Sequence, residues 1–424
     1  MIRFLLKGVL RDRGRSLFPF LVAAAGTFLT VAFYGYFLGM MNNMIRSNAN
    51  LRHGHLKVMT RAYARDAAQV PNDLALTGVG ALMAELDREF PNMDWVARIS
   101  FGGLLDVPDE EGETRIQAPV AGLAVDIRTA GSPEPGLFGL QKILVRGRLP
   151  RAPGELLMGD ELALKLGLAV GDEATLIGSS MAGGLAMANF TVAGTIRFGI
   201  RAMDKTGLIA DLADVRRALD MDDAAGEVLG LFKDGIYRQE RIEAAALAFN
   251  DRYAGRKDED LPVMQTLAEQ PGMDILFVWI RAATPAIIFI FLLAMSLVMW
   301  NAGLVGTLRR YGEFGLRLAI GEAKGRVYRA MLAEALMVGF IGSAAGTVLG
   351  LGLSWYLQVH GIDVSSMLKN FAFPMETVLR SRITPFSFVI GFIPGLLASL
   401  IGTAIAGRAI YKRQTARLFK ELES

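Results

Sequence analysis

Four stretches of the chain are long, apolar and free of charge, and the segments between them are not. No charged residue occurs between Arg15 and Arg46, and Leu17 to Met41 is apolar enough to cross a bilayer, which takes about 20 residues of helix. A signal peptide would have a shorter apolar core followed by a small-residue cleavage site. Here the run continues as FYGYFLGMMNNMIR, so it reads as a retained helix. The second charge-free run lies between Arg281 and Arg309, the third runs from Ala335 to His360, and the fourth lies between Arg382 and Arg408. Pro285 and Pro394 fall inside these runs, as membrane helices tolerate.

Between the first two runs the pattern changes to short alternating segments. LKVMT after His55 predicts a strand, Gly78 to Phe90 a helix, and WVARISFGGLLDV and TRIQAPVAGLAV two strands separated by the acidic turn PDEEGE. A second unit begins near Leu144. Leu156 to Met158 predicts a strand, Asp160 the cap of a short helix that Gly167 stops, and Phe190 to Gly199 a further strand. The segment SSMAGGLAMANF ahead of that strand has the composition of a hairpin tip, and ERIEAAALAFNDRY is an amphipathic helix.

Composition agrees with a mixed architecture. The 424 residues are 52% hydrophobic with a mean hydropathy of +0.35, yet 21% are charged: too apolar for an ordinary soluble chain, too charged for a bundle wholly within lipid. The net charge of +3 gives no signal for nucleic acid. The absence of cysteine excludes disulfides, thiolate metal sites and cysteine catalysis. Lys and Arg cluster in three places: Arg3, Lys7, Arg11, Arg13 and Arg15; Arg309, Arg310, Arg317, Lys324, Arg326 and Arg329; Arg408, Lys412, Arg413, Arg417 and Lys420. The loop after the third run has only Lys369, Arg380 and Arg382. The positive-inside rule then puts both termini and the Arg309 loop in the cytoplasm and the long middle segment outside.

Candidate chemistry is sparse. His53 and His55 share a strand face if the strand begins there, enough for a weak metal pair, but a strand entering the domain explains them better. His360 with Ser354 reads as an interfacial histidine, not a catalytic pair. GEAKGR at Gly321 lacks the order of a phosphate-binding loop, and there is no HExxH or GxSxG. No Asp, Glu, Lys or Arg lies inside the spans, whereas ion-coupled transporters and pumps place such groups there. Energy must therefore enter from elsewhere. Gly342, Gly346 and Gly350 recur every four residues and suit close packing against a neighbouring helix or subunit. Phe33, Tyr34, Phe37, Met40 and Met41, with Phe289 and Met295 on the second span, read either as an interfacial belt or as a surface for a lipid-like substrate or a second subunit. In RRYGEFGLRLAIGEAKGRVYRAMLAE, Glu313 and Arg317, and Glu322 and Arg326, are spaced four apart, as in an exposed helix. Phe314 and Leu318 give that helix an apolar side, and Gly321 and Gly325 break it before a second helix. This pattern suits a docking element better than a solvated connector.

These residues carry a resemblance. Arg310, Glu313, Gly315, Arg317, Gly321, Glu334 and Gly342 match the signature of the MacB/FtsX-like permeases of ABC transporters, with Leu318-Ala319 where Arg-Ala or Lys-Ala is common. GELLMGDELALKLGLAVGDEATLI is similar to an outer-domain run of the same family, and GHLKVMTRAY is similar to its lipoprotein-releasing (LolC/LolE-type) branch. The resemblance implies an α-helical membrane protein with four transmembrane helices plus a large extracytoplasmic α+β domain of Porter-like and Sabre-like parts. Its expected layout is a cytoplasmic segment 1–15, span one and stalk 16–45, the outer domain 46–275 with a β-rich insert at about 144–222, and stalk and span two 276–308. A coupling helix 309–330, span three 331–360, an outer loop 361–382, span four 383–407 and a cytoplasmic tail 408–424 complete it. It further implies a non-catalytic, multi-pass inner-membrane subunit, both termini cytoplasmic, that pairs with a second permease copy or paralogue. No cofactor is expected on this chain, and ATP and Mg are expected on a separate cytoplasmic ABC ATPase present in two copies. Docking would fall to Arg310, Glu313, Phe314, Arg317, Gly321, Glu322, Lys324 and Arg326. The expected work is mechanotransmission that moves a hydrophobic or lipid-anchored cargo such as a lipoprotein, with a possible periplasmic partner. Tripartite efflux of drugs or peptides and FtsX-like control of a cell-wall hydrolase are the alternatives.

Overall fold

In the computed structural model, which describes residues 13–109, 111–199, 201–308, 311–363 and 378–408, the charge-free runs are helical. Helix α1 spans Arg13–Asn48, α2 Met273–Leu308, α3 Tyr311–Ala319, α4 Lys324–His360 and α5 Ser399–Gly407. Among the described residues four segments are long and apolar enough to cross a membrane: Leu17–His53, Met273–Gly306, Lys324–His360 and Pro385–Gly407. The third starts well before Ala335, because the second helix of the Arg309 loop and the span are one continuous helix. The fourth is broken. A 3-10 turn (Pro385–Phe388) capped by Thr384 leads to a π turn (Ile393–Ala398) and then α5. Pro394 sits at the start of the π turn, where its missing N–H costs the ladder least.

The chain divides into two compact units. One comprises residues 13–41, 278–363 and 378–408; the other comprises residues 42–277. The second is built on a ten-stranded sheet. Its strands are β1 Leu56–Thr60, β2 Met93–Pro108, β3 Thr114–Val125, β4 Leu144–Gly147, β5 Glu155–Gly159, β6 Glu173–Ser179, β7 Leu185–Ile196, β8 Gly207–Asp211, β9 Glu227–Phe232 and β10 Pro262–Thr266. Their order is β10-β1-β9-β2-β3-β8-β5-β7-β4, with β6 pairing β2 and β7. The long strand β2 changes partner along its length: Met93–Arg98 pairs with β9, Ile99–Pro108 with β3. Strands from 144–222 share this sheet, β3 and β8 running parallel from Ala121↔Gly207 to Val125↔Asp211.

Alternation explains the burial. Trp95, Ala97, Ile99, Phe101, Leu105 and Val107 of β2 enter the main core, as a period of two requires. Arg98 points to the other face, yet it is 1% exposed. Lys57 and Glu227 share that face, Glu227 lying in register with Arg98, and they form an ion pair at 2.8 Å.

Several local expectations need correction. The helix after β5 begins at Asp160 itself, with Gly159 in the cap position. The Asp160 carboxylate instead accepts from Thr195 Oγ1 at 2.8 Å and the Arg146 guanidinium at 2.7 Å. Gly167 does stop that helix, at φ 65°. The hairpin tip is found between β6 and β7, with Ser179 opposite Leu185. Gly325 lies inside α4 and is no break. Lys369 and most of the 361–382 loop lie outside the described residues.

Candidate functional site

The loop helix α3 is short and strongly one-sided. Phe314 is 2% exposed and packs with Val327 and Met331 of α4, flanked by Leu318 and Tyr328. The sequence reading placed Phe314 on a docking surface. The structure corrects this: its ring anchors α3 to α4. The turn at 320–323 is held by Gly321 at φ 97°, a conformation open to glycine and strained for other residues. The expected i,i+4 pairing is also replaced. Arg317 spans the turn and grips Glu322 with both ends of its fork, Nε to Oε2 at 2.8 Å and an Nη to Oε1 at 3.1 Å. Lys324 and Arg326 are exposed, Glu313 is half-buried, and Arg310 lies outside the described residues. What the sequence reading missed is the outer edge, where Leu316 is 54% and Ile320 78% exposed. Their four-residue spacing, offset from Phe314 and Leu318, was the available signal.

The glycines of α4 meet α1. A Cβ on Gly342 would lie 2.7 Å from Ala23 Cβ, one on Gly346 2.3 Å from the Ala24 carbonyl oxygen, and one on Gly350 2.8 Å from Val31 Cβ. Ser343 lines the same seam with Thr27, whose hydroxyl donates to the Gly391 carbonyl at 3.2 Å. The aromatic and methionine set is divided. Tyr34 and Phe37 are buried. Tyr34 meets Phe386 edge-on and Thr384 through its hydroxyl, and Phe33 stacks on Phe291 at 4.0 Å. Phe33, Met40, Met41 and Met295 are half-buried, and Phe289 is exposed. Packing inside the unit thus takes Tyr34 and Phe37 away from the substrate surface expected of them.

The C-terminal end of α1 is a second concentration of specific contacts. A π turn, Ala49–His53, closes the helix, and Gly54 N–H donates back to the Ala49 carbonyl at 2.8 Å. The last carbonyls of a helix need external donors. Arg98 supplies them, donating to the Asn50 and Leu51 carbonyl oxygens at 2.8 and 3.1 Å. The same guanidinium forms a bidentate pair with Glu134 at 2.8 and 2.7 Å, both side chains essentially inaccessible, and lies over the Phe138 ring. A cation at a helix C-terminus also complements its dipole. His53 Nδ1 bonds Gln270 Oε1 at 2.7 Å, and Gln270 Nε2 donates to the His53 carbonyl at 3.0 Å. The two histidines do not act as a pair: His55 Nδ1 accepts from Phe232 N–H at 3.0 Å. Among the described residues no three His, Asp or Glu side chains gather in a metal-holding group.

His55 yields a pH prediction. Burial pushes it down to about 4. The folded state therefore excludes a proton that the unfolded state takes up below the usual histidine value of about 6.5. Stability falls as pH drops from about 6.5 towards 4 and levels off below, by up to ~3 kcal/mol over the window. His55→Asn, which keeps an acceptor for Phe232 N–H, is expected to reduce the slope of this part of a denaturation-versus-pH curve, leaving the share of His53, which burial also pushes down to about 4. An unchanged slope in that variant would remove His55 as the cause.

Comparison with known proteins adds to this geometry. The family described as FtsX-like permease C-terminal matches residues 285–415, the stretch containing α3, α4, the glycine seam and α5. That stretch of the chain is similar to the FtsX-like permease C-terminal family. The chain is 26% identical over 228 residues to the lipoprotein-releasing system transmembrane protein LolC of Xylella fastidiosa, an alignment covering 51% of this chain and 52% of that one. It is 32% identical over 119 residues to the macrolide export ATP-binding/permease protein MacB of Brucella abortus, covering 27% and 17%. The chain thus spans about half the length of LolC and less of MacB. Among solved structures, the periplasmic region of MacB from Actinobacillus actinomycetemcomitans aligns with 55% of this chain and 96% of that one, at 12% identity and a TM-score of 0.35.

Proposed function

We propose that this chain is the membrane subunit of an ABC transporter, a permease driven by a separate cytoplasmic ATPase, and that α3 is where the drive enters. The observation that carries this reading is the division of labour on α3. Phe314 fixes the helix to α4, while Leu316 on α3, Ile320 at its end, and Lys324 and Arg326 after the turn, are exposed. Exposed apolar and basic side chains on a helix held by its own packing and by the Arg317–Glu322 bridge suit docking of a partner. The charge-free apolar runs carry no Asp, Glu, Lys or Arg in their interiors, which supports an external source of energy.

The same reading puts residues 42–277 outside the inner membrane, with both termini in the cytoplasm and two permease copies and two ATPases in the assembly. LolC takes its name from lipoprotein release, and its alignment covers more of this chain than that of MacB. A lipid-anchored cargo is therefore favoured over a macrolide-like one, moved by motion of the outer unit.

The test is affinity purification of the full chain from its native membranes. An ABC ATPase is expected with it, and Leu316→Asp with Ile320→Asp is expected to weaken its retention roughly thirtyfold, the ~2 kcal/mol typical of a central apolar anchor. Equal retention by the double variant, with the chain still membrane-inserted, would overturn the assignment of α3.

A further inference from the structure

We propose that His53 and Gln270 form a latch that makes the outer ends of α1 and α2 one body, so that the outer unit is driven by the helix pair and not by either helix alone. The proposal rests on the transporter reading above and adds to it how the motion is received.

The two bonds between these residues are reciprocal. The side chain of each reaches the other, and the Gln270 amide also takes the His53 carbonyl, one of the last at the end of α1. Gln270 is 1% exposed. Its own carbonyl accepts from Met273 N–H at 3.0 Å, and Met273 is the first residue of α2. A single residue therefore opens α2 with its backbone and holds the end of α1 with its side chain.

The surroundings leave this pair little freedom. Gly54 and His55 alone separate His53 from β1, and His55 carbonyl accepts from Leu267 N–H at 3.1 Å. β1 pairs with β10 from Leu56↔Thr266 onwards. Just past β10 the Glu269 carboxylate accepts from Thr266 N–H at 2.7 Å and its hydroxyl at 2.9 Å, a capping box that fixes the turn presenting Gln270. Both helix ends thus feed neighbouring strands of one sheet within a few residues. Parting them would strand a buried amide and a buried carbonyl, and each such loss costs about 1–3 kcal/mol.

The chain has no cysteine, so a pair can be introduced without background. Arg52 and Asp274 are exposed and take no part in the two hydrogen bonds between His53 and Gln270. Spin labels on Arg52→Cys and Asp274→Cys, in the full chain in lipid nanodiscs with its ATPase, report the separation of the two helix ends by pulsed electron resonance. The expected result is one narrow distribution, the same with and without ATP. Gln270→Ala is expected to broaden it and make it shift with ATP. His53→Ala should do the same, and the double variant no more than either alone. A shift with ATP in the latch-intact protein overturns the proposal, as does a distribution in both single variants as narrow as the original. A merely structural role would broaden the distribution equally in both nucleotide states, which also counts against a latch. The ATPase rate in the same samples separates the two readings. A rate indifferent to the permease fails the transporter assignment, and the comparison of original and Gln270→Ala without nucleotide still decides the latch. A coupled rate with helix ends that part on ATP fails the latch alone.

Discussion

Replacing Arg98 with alanine is expected to cost the sheet unit, residues 42–277, ~3–5 kcal/mol, the range for breaking a fully buried ion pair from one side. The change leaves the Glu134 carboxylate buried without a counter-charge, and it removes the donors from the Asn50 and Leu51 carbonyls at the end of α1. Glu134→Ala should cost a similar amount by exposing the converse defect. Arg98→Met with Glu134→Leu should recover much of the loss, because the penalty comes from the orphaned charge more than from the missing bond, but not all of it, since the α1 carbonyls stay uncapped. Chemical denaturation followed by tryptophan emission would read this directly, as Trp95 sits on the same strand with its side chain in the core. Single-variant losses below ~1 kcal/mol, the scale of an ordinary surface ion pair, would show that Arg98 does not hold the helix end.

The second large effect is expected in the glycine seam. Gly346→Leu places a Cβ where the Ala24 carbonyl oxygen now lies, 2.3 Å away, with Thr27 Cβ at 2.8 Å. Backbone cannot move aside as a side-chain end can, so α4 and α1 must part. A loss of about 3 kcal/mol is expected, the upper end for forcing a larger side chain into a filled contact, read as a drop in melting temperature in detergent. Gly352 lies on the same helix with nothing within 4 Å of its Cβ position. Gly352→Leu is expected to change stability by less than about 0.5 kcal/mol, as at other open surface positions. Equal effects of the two substitutions would mean that general helix propensity, and not the seam, governs this helix.

The spans were legible in the sequence because lipid imposes one long, simple pattern: no charge for about 20 residues. The strands were legible wherever one face meets the core, as along Trp95 to Val107. What could not be read was the partner of a group whose mate lies far along the chain. Arg98 and Glu134 are 36 residues apart, and His53 and Gln270 217 apart. A lone arginine in WVARIS was a sign that something must meet it, though not what. Local spacing misled at the loop helix. Glu313–Arg317 and Glu322–Arg326 each have the spacing of a pair within one helix, but across the turn at Gly321 Arg317 reaches Glu322 instead. Phe314 was recognised as apolar and assigned to a partner, because nothing in the sequence says that Val327 and Met331 fold back over it.

A glycine seam also sets compliance. Side chains between two helices can change rotamer and absorb a small displacement before the neighbouring backbone feels it. Along Gly342, Gly346 and Gly350 that cushion is thin, since α4 comes within reach of the Phe20, Ala24 and Phe28 carbonyls with only short side chains such as Ala23 and Val31 alongside. Any push that α3 delivers to α4 through Phe314 therefore reaches the backbone of α1 with little slack.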